Sequence, residues 1–258
     1  MHPGLAQLSS MKQRGEKIAM LTAYDYPTAR LLDEGGIDLL LVGDSLGMVV
    51  LGYPDTTLVT LAEMLHHTRA VSRGVQRAAI LADLPINTFD TPEQAVATSR
   101  ELIAAGAHAV KLEGGASHAM QVQAISSAGI PVMAHIGMQP QRVRIEGGYR
   151  VKGKTAAEAD ALLVDASTAE AAGAFGLLFE LVQPDTARRI TESVRIPTIG
   201  IGSGLDCDGQ VLVTHDLIGM FPWFRPKFAK PAADVSGQIQ AALGEYLRLV
   251  KSPPERIS

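Results

Sequence analysis

Short unbroken apolar runs recur along the chain. Between them lie longer segments whose apolar residues fall near helical spacing and whose ends carry capping and stop residues. Runs such as Ala79–Asp83 and Gly176–Glu180 lack polar alternation, which predicts strands buried on both faces, as in a parallel sheet covered by helices. The pattern predicts strands at 17–24, 38–44, 79–83, 109–113, 131–137, 176–180, 197–202 and 211–214. It predicts helices at 27–34, 60–72, 92–105, 117–128, 156–172 and 184–193, and an amphipathic terminal helix at 232–250. Thr91, Pro92 and Gln94 read as an N-cap, a first-turn proline and the far half of a capping box. Gly74, Gly106, Gly129 and Gly173 stand where helices stop.

Eight strand units in 258 residues match an α/β fold of the (β/α)8 barrel type, read as one domain over residues 1–258 with loose termini. A doubly wound open sheet is the competing architecture. Five runs end on Asp44, Asp83, Glu113, His135 and Glu180. An open sheet gathers ligand residues at a switch point between a few strands, whereas a barrel brings every strand end to one mouth. The spread of polar strand ends therefore favours the barrel. The one long connection, 138–155, contains Gly147, Gly148, Tyr149 and several Arg and Lys residues, and its place after His135 reads as a lid.

Asp44 and Asp83 at neighbouring strand ends suit Mg²⁺, which takes one or two carboxylates and leaves positions for water and substrate. Either aspartate alone reads equally well as a helix cap; the two together, with Glu113 on the next strand, favour the metal. Glu180 ends an apolar strand, where partial desolvation raises a carboxyl toward the range of a general base; its alternative is a salt bridge to a loop arginine. Lys111 alternates with Val110 and Leu112 and so points to the same side as Glu113. It reads as a substrate-carboxylate anchor or a Schiff-base amine, against a structural ion pair with Glu113 or Asp83. His135 reads as a ligand, an acid or a satisfied core histidine, and taken alone the last reading is favoured. His66 and His67 are adjacent on a helix and do not face one point, which argues against a metal pair. Gly200, Gly202 and Gly204 resemble a phosphate cradle but carry neither a dinucleotide fingerprint nor a P-loop lysine; they read as room for a ligand or a tight turn.

Composition narrows the class further. The net charge of −4 and the lack of a basic tract argue against nucleic-acid or membrane-surface binding. A single cysteine, Cys207, excludes an internal disulfide framework and fits a reducing compartment. Residues 1–17 lack a signal-like apolar core, and no apolar stretch reaches the roughly 20 residues that span a bilayer. The expectation is a soluble cytoplasmic enzyme.

Motifs in one order along the chain carry a resemblance. They are Thr22-Ala-Tyr-Asp25, Val42-Gly-Asp-Ser-Leu-Gly-Met48, Leu81-Ala-Asp-Leu-Pro85, Val110-Lys-Leu-Glu-Gly-Gly115 and Ala134-His-Ile-Gly-Met138. They continue with Gly147-Gly-Tyr149, Ile196-Pro-Thr-Ile-Gly-Ile-Gly202, Asp208-Gly-Gln-Val-Leu-Val213, His215-Asp216 and Pro226-Lys-Phe-Ala-Lys230. From about Met11 to about Leu249 the chain resembles the ketopantoate hydroxymethyltransferase family, itself similar in fold to the phosphoenolpyruvate mutase and isocitrate lyase barrels. The resemblance implies transfer of a hydroxymethyl group from 5,10-methylenetetrahydrofolate to 3-methyl-2-oxobutanoate, giving 2-dehydropantoate (ketopantoate) for pantothenate synthesis. It implies Asp44 and Asp83 as Mg²⁺ ligands, with Glu113 a further metal-site carboxylate. It implies Asp44, Ser45, Asp83 and Lys111 as the residues that hold the 2-oxo acid, His135 lining the same site, and Glu180 as proton acceptor. It further implies a homo-oligomer, typically a decamer of two stacked pentamers.

Two rival readings stand beside this one. A Mg²⁺-dependent lyase or mutase of 2-oxo or phosphonate acids on a related barrel would carry a catalytic cysteine in a strand-end loop, and Cys207 is the sole candidate. A non-catalytic binding or scaffold barrel would have lost Glu180 or an aspartate ligand, and all are present.

Overall fold

The computed structural model describes residues 2–252. Eight strands close into a parallel barrel in sequence order: β1 (Ile18–Thr22), β2 (Leu39–Val42), β3 (Ala79–Asp83), β4 (Ala109–Glu113), β5 (Val132–Gly137), β6 (Gly176–Glu180), β7 (Thr198–Ile201) and β8 (Gly209–Leu212). The predicted architecture is therefore present, and the open sheet is excluded by the pairing of β1 with β8. By chain contacts the molecule divides into two compact units, Met1–Leu212, which holds the whole barrel, and Val213–Ser258. The second unit contains a short helix, Thr214–Leu217, and the long helix Val235–Lys251, capped by Asp234 on Gly237 N–H. No helix among the described residues is long and apolar enough to cross a membrane.

Residue alternation along each strand sorts the barrel into two apolar layers. Outward residues such as Ile80, Val110, Leu112, Ala134 and Phe179 pack under the surrounding helices. Inward residues Leu39, Leu41, Ala79, Leu81, Ala109, Met133, Leu178 and Ile199 form a separate cluster inside the barrel. That inner cluster is joined by Leu5 and Leu8 of the helix Pro3–Arg14, which closes the N-terminal end of the strands. The sequence reading assigned no helix there. The inward face thus changes along its length: it is apolar at the strand starts, and Asp83, Lys111, Glu113 and His135 are buried at the strand ends.

Helix starts follow the capping chemistry. Thr60 with Glu63 and Thr155 with Glu158 form complete capping boxes. Thr91 does cap the helix Pro92–Ala104, but Gln94 does not complete a box: its side chain accepts from Asp90 N–H and donates to the Asn87 carbonyl. Strand β8 begins two residues earlier than predicted, because Gly209 starts the pairing with Ile18. A Cβ at position 209 would lie 2.5 Å from the Ile18 carbonyl oxygen, so the residue that looks like a strand breaker is the one that permits the contact.

Candidate active site

Strand register brings the predicted residues together. Asp83 pairs with Lys111 across β3 and β4, Glu113 with His135 across β4 and β5, and Gly137 with Glu180 across β5 and β6. Asp44 and Ser45 follow β2 directly, at the same mouth. Asp44, Asp83, Lys111, Glu113 and His135 are buried, while the Glu180 side chain keeps 15% of its exposure.

The contacts form one connected network. Asp83 Oδ2 accepts from the Asp44 backbone N–H at 3.0 Å. Asp83 Oδ1 lies 3.1 Å from Lys111 Nζ, an ion pair without hydrogen-bond alignment. Lys111 Nζ is also 3.2 Å from His135 Nδ1. An ammonium only donates, so Nδ1 accepts and the ring proton is assigned to Nε2, which faces Glu180 Oε2 at 3.5 Å. Ser45 Oγ shares a 2.7 Å hydrogen bond with the buried Tyr24 hydroxyl. The salt-bridge alternative for Glu180 therefore meets a histidine in place of an arginine.

Burial and like charge set the electrostatics. Burial raises the Asp44 carboxyl, Asp83 adds to the rise, and Lys111 opposes it. Burial also raises Glu113 well above the ordinary value, with Asp44 adding to it. Glu180 is pushed up to about 8, chiefly by burial and against the pull of Lys111. For Lys111, burial disfavours the charge, but Asp83, Asp44 and Glu113 outweigh it and hold the ammonium protonated. His135 moves far below its ordinary value through burial and the neighbouring Lys111. Its 3.5–3.6 Å approaches to Glu180 and Glu113 are therefore contacts of a neutral ring, not salt bridges. Burial that disfavours the ionised Glu180 carboxylate also makes it a stronger base, and it stands beside a neutral imidazole.

The long connection is ordered across this mouth. It opens with the turn Pro140–Arg142 and the short helix Val143–Glu146. Its returning end pairs beside β6, with Lys152 N–H donating to Leu181 O and Gln183 N–H to Lys152 O, each at 2.8 Å. Arg144 grips Asp55 through two hydrogen bonds, at 2.8 and 3.2 Å. Leu181, next to Glu180, holds a left-handed backbone with φ of 49°, which costs roughly 1–2 kcal/mol for a residue with a Cβ. The Lys152 and Ile201 backbone bonds hold it there. Gly137 at the end of β5 has φ of 94°, and a Cβ there would lie 2.5 Å from the Glu180 carbonyl oxygen.

Sequence reasoning missed Gln141 and Tyr24. Gln141 is buried in the loop's first turn; its Nε2 donates to Asp44 Oδ2 at 2.8 Å and to Leu84 O at 3.0 Å, and its backbone N–H donates to Glu113 Oε2 at 3.0 Å. An uncharged residue in a loop carries no local signal of such a role. Tyr149, from the Gly147-Gly148-Tyr149 stretch, lies near the site: burial and then Glu180, Asp44 and Glu113 raise its phenol. His67 Nδ1 meets the Tyr24 carbonyl at 2.6 Å. The glycines in and after β7 serve close packing, with a Cβ at Gly200 2.9 Å from Cys207 Sγ and one at Gly204 2.8 Å from Pro184.

The donor set decides which cation fits. Among the described residues, no three His, Cys, Asp or Glu side chains form a ready metal cage. The buried Glu113 Oε1 accepts no hydrogen bond, and Asp83 Oδ1 has only the Lys111 ammonium, 3.1 Å away. Few protein oxygens, unsatisfied and hard, suit Mg²⁺ completed by water and ligand oxygens, and do not suit a caged Zn²⁺.

The sequence profile of the ketopantoate hydroxymethyltransferase family matches residues 4–254. A 3-methyl-2-oxobutanoate hydroxymethyltransferase of Syntrophus aciditrophicus is 52% identical over 247 residues, which cover 95% of this chain and 91% of that protein. A protein of the same name from Moorella thermoacetica is 52% identical over 244 residues, covering 94% and 91%. Among solved structures, a phosphoenolpyruvate phosphomutase of Streptomyces platensis superposes with a TM-score of 0.66 at 17% identity, covering 96% of this chain and 88% of that one. A 2,3-dimethylmalate lyase of the phosphoenolpyruvate mutase/isocitrate lyase superfamily superposes with a TM-score of 0.62 at 15% identity, covering 100% and 93%. At those identities the likeness is one of fold.

Proposed function

The chain belongs to the ketopantoate hydroxymethyltransferase family, and from that premise we propose how its strand-end residues divide the work of making ketopantoate from 3-methyl-2-oxobutanoate. The observation that carries the reading is the presence at one mouth of Glu180 on β6, a carboxyl raised to about 8, and a buried Asp44–Asp83–Lys111 cluster at the ends of β2, β3 and β4. One half is a base and the other is a cradle for a 2-oxo acid.

Lys111 and Ser45 hold the substrate carboxylate: the first supplies charge, the second a hydroxyl oriented by Tyr24. Asp44 and Asp83 are the Mg²⁺ ligands, and Glu113 adds negative charge to the same site. When bound there, Mg²⁺ acts as a Lewis acid that draws charge from the reacting carbon. Glu180 takes the proton from C3. Neutral His135, with its proton on Nε2, supports the Glu180 carboxylate and lines the 2-oxo acid site. The carbon nucleophile then attacks the methylene carbon of 5,10-methylenetetrahydrofolate as one N–CH2 bond breaks and that nitrogen takes a proton; water then replaces the second nitrogen, its OH going to carbon and its H to nitrogen, which completes the hydroxymethyl group and releases tetrahydrofolate. Loop 138–155 and Tyr149 border the folate approach. The working protein is a homodecamer in the cytoplasm, a size that light scattering reads directly.

The proton step is separable from the folate step. With 3-methyl-2-oxobutanoate and Mg²⁺ alone, the protein should exchange the C3 hydrogen for solvent deuterium. Adding 5,10-methylenetetrahydrofolate should convert the same substrate to ketopantoate. Product formation that persists in excess chelator, with no C3 exchange, would sink the division of roles proposed here.

A further inference from the structure

Three buried carboxylates at the mouth each have one oxygen held by an amide N–H, and Asp83 also pairs its other oxygen with the Lys111 ammonium. Asp83 Oδ2 is held by the Asp44 backbone, Asp44 Oδ2 by Gln141 Nε2, and Glu113 Oε2 by the Gln141 backbone, at 3.0, 2.8 and 3.0 Å. Two of the three clamps come from one residue. Gln141 is itself fixed, because its amide has two N–H donors and both are used, on Asp44 Oδ2 and on the Leu84 carbonyl. Rotating the amide by half a turn would set its oxygen against two other oxygens.

An N–H-bonded carboxylate oxygen has one lone pair committed and its orientation fixed, so a clamped carboxylate is less free to turn both oxygens onto one cation. Ca²⁺ takes six to eight oxygens and accepts bidentate carboxylates, whereas Mg²⁺ demands a compact octahedron and keeps several waters. We propose that Gln141 is a positioning residue whose side chain forces Asp44 into single-oxygen presentation and so sets the site's preference for Mg²⁺ over Ca²⁺. The proposal rests on the reading of Asp44 and Asp83 as cation ligands. It also gives loop 138–155 a second role: its first turn is part of the carboxylate site, in addition to spanning the mouth.

Gln141→Met keeps the length and apolar volume of the side chain and removes both N–H donors, while the backbone donor to Glu113 remains. Gln141→Ala is the second variant, in case the thioether packs badly against Leu84. Mg²⁺ and Ca²⁺ are each titrated calorimetrically into the full-length wild type and both variants, and thermal midpoints are read in each ion. Removal of a partner that orients a metal ligand typically lowers affinity by roughly 10–100-fold. The expected result is a Mg²⁺ loss of that order with a smaller change for Ca²⁺, so that the Mg²⁺/Ca²⁺ affinity ratio falls. A wild-type ratio in both variants, or equal losses for the two ions, overturns the role of Gln141 and leaves the cation reading standing. If the wild type binds neither ion, the cation reading fails and the role of Gln141 fails with it. If neither variant folds, Gln141 is a packing residue and the proposal is wrong.

Discussion

The two ends of the barrel bury acidic side chains in opposite ways. At the N-terminal end, Asp33 accepts from the backbone N–H groups of Gln76, Arg77 and Ala78 at 3.0, 3.1 and 2.7 Å. Burial pushes its carboxyl up, but those three donors outweigh it and the net shift is downward. Asp208, before β8, is likewise satisfied by Lys12 at 2.8 Å and by the Thr198 backbone and hydroxyl at 2.8 and 2.9 Å. At the C-terminal end, Asp44, Asp83 and Glu113 face one another with Lys111 as their one cation, Glu113 Oε1 accepts no hydrogen bond, and the shifts run upward. Burial is common to both ends, so burial alone does not mark function. Satisfaction does: a buried acid with its acceptors filled holds the fold, and one left short of donors is held ready for something else to arrive.

That contrast can be broken most severely at Glu180. Glu180→Gln keeps shape and cannot take a proton, so turnover should fall by roughly 10²–10⁴-fold, the usual contribution of a positioned general base. Loss of C3 deuterium exchange with unchanged 2-oxo acid binding, followed by NMR, is the expected signature. Exchange at the wild-type rate would move the base elsewhere, with His135 next in line. Asp83→Asn should abolish most activity and Mg²⁺ affinity while the fold stays intact; wild-type turnover in excess chelator would remove the metal role from both aspartates. Lys111→Ala should raise the KM for the 2-oxo acid and lower kcat as well, because a misplaced carboxylate displaces the reacting carbon. A covalent adduct trapped on Lys111 by borohydride would instead indicate a Schiff base.

The other end should respond in stability and not in rate. Asp33→Ala strands three backbone donors and should cost about 1–3 kcal/mol in urea unfolding, with kcat per folded molecule unchanged. A fall in kcat with stability retained would erase the distinction between the ends.

The smallest effect is a difference in the sign of pH dependence. Asp33 has a lowered carboxyl, so its contribution to stability is present above the ordinary aspartate value of 3.8 and is lost as pH falls through its folded value. Glu180 is raised from 4.5 to about 8, so it costs nothing at pH below 4.5, and its penalty grows as pH rises toward 8. Glu180→Gln should therefore be more stable than wild type at pH 9, by roughly 1–3 kcal/mol, and equal to it near pH 4. Thermal midpoints across that range give the answer, and a gap that widens toward acid would reverse the assignment.

The sequence made the strands legible because their apolar runs are unbroken and end on chemistry: β3, β4 and β6 were predicted with the bounds they have. It was weaker where tertiary contact overrules local preference. Gly209 looks like the end of a loop and is the start of a strand, because it faces the Ile18 backbone. The helix Pro3–Arg14 has few apolar residues, and only the open end of the barrel gives Leu5 and Leu8 somewhere to be buried. In the site, the charged residues announced themselves by placement at strand ends. Tyr24 and Gln141 did not, since one precedes the charged strand ends and the other sits in a loop, and their roles exist only once distant carboxylates and hydroxyls are brought beside them.

Gly137 shows what this packing means for sequence drift. It has no side chain to lose, donates nothing to the chemistry and sits on a strand end that pairs with Glu180. Yet a single methyl there would land 2.5 Å from the Glu180 carbonyl oxygen and 2.6 Å from Val182 Cγ2. In a saturation library, position 137 would read as intolerant as the base itself. A map of tolerated mutations around this mouth would thus record two kinds of vulnerability, one from atoms that react and one from the empty space that lets them stand where they do.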